Sequence, residues 1–341
     1  MESIQWHMAI FFVTTAGKKV FRYHFLVNAL FVKLICAPAV SLDFVHVAVQ
    51  PYRLLREMIM RNHNAGRYWD LNLNDVYGCA PISNGCRNCW SASMAYQYSS
   101  CGRKGPYAGL VRMGQNGPEW NGQIKVRPDD ALNVPGLRGV GPGRIIMLGF
   151  MCDLLHKDVP IHVWDRILRR CAGHAMDTFI VATKRPENLV KKIPQYNDMT
   201  RYYPNFHVMI SAETQQDYHA RLAAVPENFG RVLISAEPLL GYIMLSSCTH
   251  PPSRLAGVIV GGENGHKARP MNPGWVRSLR DQCKELSIPF YFKGWGEYIA
   301  CPVCQGEDHS CSCYRNQWPG WVKAPEHYRT LDGRQHNDFP F

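Results

Sequence analysis

Ile145-Ile146-Met147-Leu148-Gly149-Phe150-Met151-Cys152-Asp153 is a short apolar run without polar alternation, closed by a thiol and a carboxylate. A strand with one wet face alternates apolar and polar side chains, so an unbroken run predicts a strand buried on both faces. Five more runs of this kind follow, at residues 178–182, 206–210, 232–234, 257–260 and 289–292. Amphipathic stretches such as 163–172 and 275–286 lie between them and predict helices. Strands alternating with helices imply right-handed crossovers and a parallel sheet. The repeating unit runs from Tyr68 to about Gly296, the length of a (β/α) barrel. An open doubly wound sheet is the competing architecture.

Every run ends in groups that can do chemistry. The followers are Met151-Cys152-Asp153, Thr183-Lys184-Arg185-Pro186, Ser211-Ala212-Glu213, Ser235-Ala236-Glu237-Pro238, Gly261-Gly262-Glu263-Asn264 and Lys293-Gly294-Trp295-Gly296. Parallel α/β folds bind ligands at the C-terminal ends of their strands. Asp153, Lys184, Arg185, Ser211, Glu213, Glu237 and Glu263 are therefore expected around one polar bowl. Any one of them alone reads as a cap or a surface charge. Six strand ends in series do not.

The chain has 341 residues, 46% hydrophobic and 11% aromatic, which excludes wholesale disorder. Its 38 Lys+Arg against 27 Asp+Glu give a charge of +11, which suits either a polyanionic partner or a solvated basic surface. The Gly-rich connection 101–143 carries Arg103, Lys104, Arg112, Lys125 and Arg127 with Tyr107 and Trp120 between them. Aromatics among cations suit stacking on nucleic-acid bases, so a nucleic-acid substrate stays open beside a plain solvated loop. Residues 1–57 differ from the rest: the stretch between Tyr23 and Tyr52 is almost all apolar, broken by Lys33 and Asp43. No uncharged stretch there reaches the roughly 18 residues of a spanning helix, so no membrane partner is expected. An export leader behind Lys18, Lys19 and Arg22 is one reading of this segment. A working protein that begins near Met58 or Met60 is the preferred one. The expected division is an extension at 1–57, a barrel at 58–298 and a Cys-rich segment at 299–341.

Thirteen cysteines in a chain with a real core suit metal binding in a reducing, cytoplasmic compartment better than a secreted disulfide scaffold. Cys79, Cys86 and Cys89 have the spacing C-x6-C-x2-C in a loop of Pro, Ser, Asn and Gly. Spacing alone leaves iron–sulfur and zinc open there. Cys301, Cys304, Cys311 and Cys313, with His309 among them, suit a zinc knuckle or a second cluster.

Between residues 68 and 297 the order of motifs resembles a phage and prophage family, the radical-SAM-like proteins called gp thirty-seven or gp sixty-eight. The resemblance rests on Gly78-Cys79, Gly85-Cys86, Asn88-Cys89, Trp120-Asn121-Gly122, Asp153-Leu154-Leu155-His156, Thr183-Lys184-Arg185-Pro186 and Ser211-Ala212-Glu213. It continues through Glu237-Pro238-Leu239-Leu240-Gly241, Gly261-Gly262-Glu263-Asn264-Gly265, Ala268-Arg269-Pro270-Met271 and Phe292-Lys293. It implies a partial (β/α) barrel of the radical-SAM type with a short Cys-rich C-terminal extension. A 4Fe-4S cluster on Cys79, Cys86 and Cys89 would bind S-adenosyl-L-methionine at its open iron, with electrons from a reductant such as flavodoxin or ferredoxin. By the same resemblance Asp153 would meet the methionine ammonium, Lys184 or Arg185 its carboxylate, and Ser211 or Glu213 the ribose. Glu237 and Glu263 would be bowl residues, and Cys152 and Cys283 would be candidate hydrogen donors. The setting implied is the cytoplasm of an infected or prophage-bearing bacterium. Two features depart from the radical-SAM pattern. The first cysteine step is seven residues where four is common, and Gly261-Gly262-Glu263 follows a late strand. The alternative is a zinc-containing nucleic-acid-binding protein without catalysis; a zinc hydrolase lacks a His-rich ligand set.

Overall fold

The computed structural model describes residues 7–15, 18–26, 66–99, 105–128, 143–193, 198–246, 251–265, 267–303, 310–315, 317–325 and 328–341. The chain divides into two compact units, Met1–Leu55 and Arg56–Phe341. In the first, His7–Thr15 and Lys18–Leu26 pair as an antiparallel hairpin, and most of the apolar stretch between Tyr23 and Tyr52 lies outside the described residues.

The second unit is built on seven strands: β1 (Leu71–Leu73), β2 (Ile145–Leu148), β3 (Thr178–Thr183), β4 (Phe206–Ser211), β5 (Val232–Ala236), β6 (Leu255–Gly261) and β7 (Phe290–Gly294). All neighbours pair in parallel, and the order across the sheet is the order along the chain. A doubly wound sheet reverses its order at a switch point; this one does not, and it forms a half-barrel. The six runs are β2 to β7, with ends displaced by at most two residues. Strand β1 has only three residues, Leu71-Asn72-Leu73, too few to register as a run.

Four longer helices accompany the strands: α1 (Trp90–Ser99), α2 (Ile161–Gly173), α3 (Gln215–Ala223) and α4 (Pro273–Glu285). In α2 the buried residues Val163, Trp164, Ile167, Leu168 and Cys171 recur at helical spacing. The N-terminus of α3 is capped by Thr214, whose side chain accepts from Asp217 N–H, and that of α4 by Asn272 ahead of Pro273. Helices α2, α3 and α4 share a core with Ile146, Leu148, Phe179, Val181, Val208, Ile210, Ile234, Val260 and Phe292. The opposite face of the sheet presents Ile145, Met147, Ile180, Met209, Leu233, Ile259 and Tyr291, covered by Tyr68, Trp69, Phe339 and Phe341. Two cores, one on each face, are why the strands read as unbroken apolar runs. Each fully buried aliphatic side chain contributes roughly 1.5–3 kcal/mol. The free edge of β7 is covered by the C-terminal residues, with Phe292 N–H donating to His336 and Asp338 N–H to Phe290.

The described part of the connection between β1 and β2 contains two short antiparallel pairs. Val111–Gly114 pairs with Gly117–Trp120, and Val76–Tyr77 with Lys125–Val126. Tyr107 and Trp120 are buried with Ala92, Ala95, Leu110 and Met151, so they form the small core beneath α1 and are not held out for base stacking. Arg112 is ion-paired to Glu119, and Arg103 and Lys104 lie outside the described residues. No helix among the described residues is long and apolar enough to cross a membrane.

Candidate functional site

Along the inner face of the sheet, side chains turn from apolar to polar toward the C-terminal ends. Met209 is followed by Ser211, Leu233 by Ser235 and Tyr291 by Lys293, two residues on in each case and so on the same face. These ends open on a cavity of about 220 Å³. Cys79, Cys86, Cys89, Cys152, Asp153, Lys184, Arg185, Ser211, Glu237 and Glu263 all line it, and Glu213 lies buried against its cysteine loop. Cys283 is elsewhere: it is fully buried on α4 in the outer core, its thiol pushed up to about 12 by burial.

The cysteine loop, residues 79–89, is clamped from three strand ends. After β2, Asp153 accepts from Thr183 Oγ1 (2.9 Å), Lys184 N–H (3.2 Å) and Arg185 Nη1 (2.7 Å), and Arg185 Nη2 donates to the Ala80 carbonyl (2.5 Å). After β4, Glu213 accepts from Ser83 Oγ (2.9 Å) and Arg221 Nη1 (2.6 Å) and is ion-paired to Lys184. Lys184 Nζ also lies 3.6 Å from Cys86 Sγ. After β6, Glu263 binds Arg269 (2.5 Å) and accepts from Asn88 Nδ2 (2.9 Å), while Arg269 donates to the Asn84 side chain and carbonyl (2.9 and 3.0 Å). A Cβ on Gly85 would collide with the Glu213 carboxylate, so the loop needs glycine there to come this close.

Burial would raise the Glu213 pKa, but the charges of Lys184 and Arg221 and their hydrogen bonds outweigh it and hold the carboxyl at about 2. The same competition lowers the Cys86 pKa: burial opposes ionisation, and Lys184 with hydrogen bonds at Ile82 and Ser83 prevails. Burial and the neighbouring Asp153 charge push Cys79 up to about 12, and burial with Cys79 and Asp153 raises Cys152 well above its usual range. Cys79 thus keeps its proton at neutral pH.

The C-terminal cysteines are arranged differently. Tyr298–Ala300 and Trp321–Lys323 form an antiparallel hairpin, beyond which the sulfurs of Cys301, Cys311 and Cys313 all lie within 4.8 Å of one another, Cys301 and Cys311 at 3.8 Å. Thiolates at about 2.3 Å from one tetrahedral ion sit about 3.8 Å apart. This trio could hold a metal ion. Cys304 and His309 lie outside the described residues. Among the described residues, Cys79, Cys86 and Cys89 are not gathered this tightly; they share the rim of one cavity.

The family model described as "Protein of unknown function (DUF5131)" matches residues 65–340. The chain belongs to this family. The match takes in the half-barrel, the clamped cysteine loop and the C-terminal trio alike. No curated protein and no solved structure matches the chain.

Some residues of the site had no role assigned to them from the sequence. Arg221 sits on α3, eight residues beyond Glu213, at a position that reads as an ordinary helical charge. Ser83, Asn84 and Asn88 read as turn residues, and only the folded loop shows their side chains as the clamped groups.

Proposed function

We propose that the protein is a radical S-adenosylmethionine enzyme with a 4Fe-4S cluster on Cys79, Cys86 and Cys89. The observation that carries this reading is the donor set: three thiols, with no imidazole among the described residues that line the cavity, spread around one pocket at the strand ends and fixed by ion-paired clamps. Thiolates on separate irons of a cluster stand farther apart than those on a single ion, which suits this loop and does not suit the C-terminal trio. Held by Cys79, Cys86 and Cys89, such a cluster would supply one-electron reduction of the carbon–sulfur bond of S-adenosylmethionine. The chain's own residues prepare the frame. Arg185 and Asp153 hold the backbone at Ala80, Glu213 holds Ser83, and Arg269 with Glu263 holds Asn84 and Asn88. Lys184 keeps positive charge beside Cys86 and favours its ionised, ligating form. The aromatic side chains Trp90, Trp120 and Phe150 wall the cavity and limit water beside a reactive intermediate. The C-terminal trio is assigned a structural zinc, and the electron donor a small acidic redox protein such as flavodoxin or ferredoxin.

The test is electron paramagnetic resonance on anaerobically reconstituted, reduced protein. A 4Fe-4S signal is expected that changes when S-adenosylmethionine is added and is lost when Cys79, Cys86 and Cys89 become Ala. A colourless protein that holds only zinc would sink the proposal and leave the zinc-protein alternative.

A further inference from the structure

Most ionic groups around the cavity are spent on the cysteine loop. Glu237 and Lys293 are not. They come from the ends of β5 and β7 and meet at 2.7 Å across the end of β6, where a Cβ on Gly261 would sit only 2.8 Å from Glu237 Oε1. The second Glu237 oxygen accepts from Ser235 Oγ at 3.0 Å, so each carboxylate oxygen has its own partner. The Lys293 ammonium lies 5.7 Å from the Trp69 ring centre and its side chain is one-third exposed. An ammonium carries three donors, so Lys293 can bind more than Glu237.

We propose that Glu237 and Lys293 form a recognition pole for the α-amino-acid headgroup of the substrate, an inference that rests on reading this cavity as the reaction site. The pole is neutral overall, and that decides its ligand. A phosphate drawn to Lys293 meets the Glu237 carboxylate beside it, and a lone amine drawn to Glu237 meets Lys293. A group with ammonium and carboxylate on one carbon satisfies both at once: its ammonium takes Glu237, its carboxylate takes Lys293, and no charge loses a partner. Neither side chain contacts the cysteine loop, which separates this pole from groups bound there.

Trp69 beside Lys293 supplies a readout independent of turnover. Its fluorescence would be titrated with a panel of free L-amino acids, one per side-chain class at millimolar concentration, using the protein both as isolated and after cluster reconstitution. At least one is expected to bind. Its N-acetyl and amide derivatives, and the variants Glu237→Gln and Lys293→Met, are each expected to weaken binding about 10- to 100-fold. The double variant removes both charges without orphaning either, so its retained thermal unfolding with lost binding separates recognition from folding. Binding by no amino acid, equal binding of the blocked derivatives, tighter binding of inorganic phosphate, or competition by S-adenosylhomocysteine would each overturn the assignment. Failure of the cluster to assemble bears on the radical reading alone, because the titration of the isolated protein does not need it.

Discussion

Cys79, Cys86 and Cys89 are spread around a cavity and held by carboxylate–cation clamps. Cys301, Cys311 and Cys313 are packed sulfur to sulfur, and among the described residues Val322 is added to their apolar cluster. Under the proposed function the contrast is between two ways to prepare thiols for metal. In the first, folding arranges the ligands: Asp153, Glu213 and Glu263, each from a different strand end, hold the loop at Ala80, Ser83, Asn84 and Asn88 before any metal arrives. In the second, the thiols and the valine described there bury little apolar surface, so an ion bound to them would itself serve as the core.

The largest expected effect that separates the two is on the clamped loop. Glu213→Gln leaves Lys184 and Arg221 without their carboxylate in a buried site, which costs about 3–5 kcal/mol. Denaturant unfolding should show that loss and iron analysis a matching fall, with zinc unchanged. A variant as stable and as iron-rich as the parent would break the claim that folding prepares the first site.

Next is acid. Glu213 is held at about 2 in the folded protein, below its unfolded value near 4.5. Its contribution is therefore complete above about pH 4.5 and is lost as the pH falls toward 2, on the order of 3 kcal/mol in all. Urea midpoints measured from pH 6 to pH 3 should fall more for the parent than for Glu213→Gln. Parallel curves would show that the pair does not carry this dependence.

Smaller still is the C-terminal site. Cys311→Ser should remove the bound zinc and speed proteolysis around Tyr298–Lys323 while changing the unfolding of the half-barrel by about 1 kcal/mol or less. A large global loss would mean that this trio supports the whole unit. Cys283→Ala should cost about 1 kcal/mol through its buried packing and leave iron content alone; lost iron would place Cys283 in the site after all.

The sequence revealed the half-barrel because burial on both faces leaves an unbroken apolar run, and β2 to β7 are long enough to show one. It hid β1, where Leu71-Asn72-Leu73 is too short. It also misled about Tyr107 and Trp120, since a cation-rich segment looks the same whether its aromatics face solvent or pack under a helix. Asp153, Lys184, Arg185, Glu213 and Glu263 were legible as a set from their places after strands. Their pairing was not, because ion pairs such as Glu213 with Lys184 join residues on different strand ends. Nor could spacing alone tell the spread thiols from the packed ones; that took the folded distances.

Under the proposed function the two cysteine groups hold different metals in different ways. Iron and zinc would be counted in anaerobically purified parent protein and in two triple-alanine variants, one at Cys79, Cys86 and Cys89 and one at Cys301, Cys311 and Cys313. The first variant is expected to lose its iron and keep its zinc, and the second to lose its zinc and keep its iron. Zinc lost from both variants, with no iron in the parent, would contradict it.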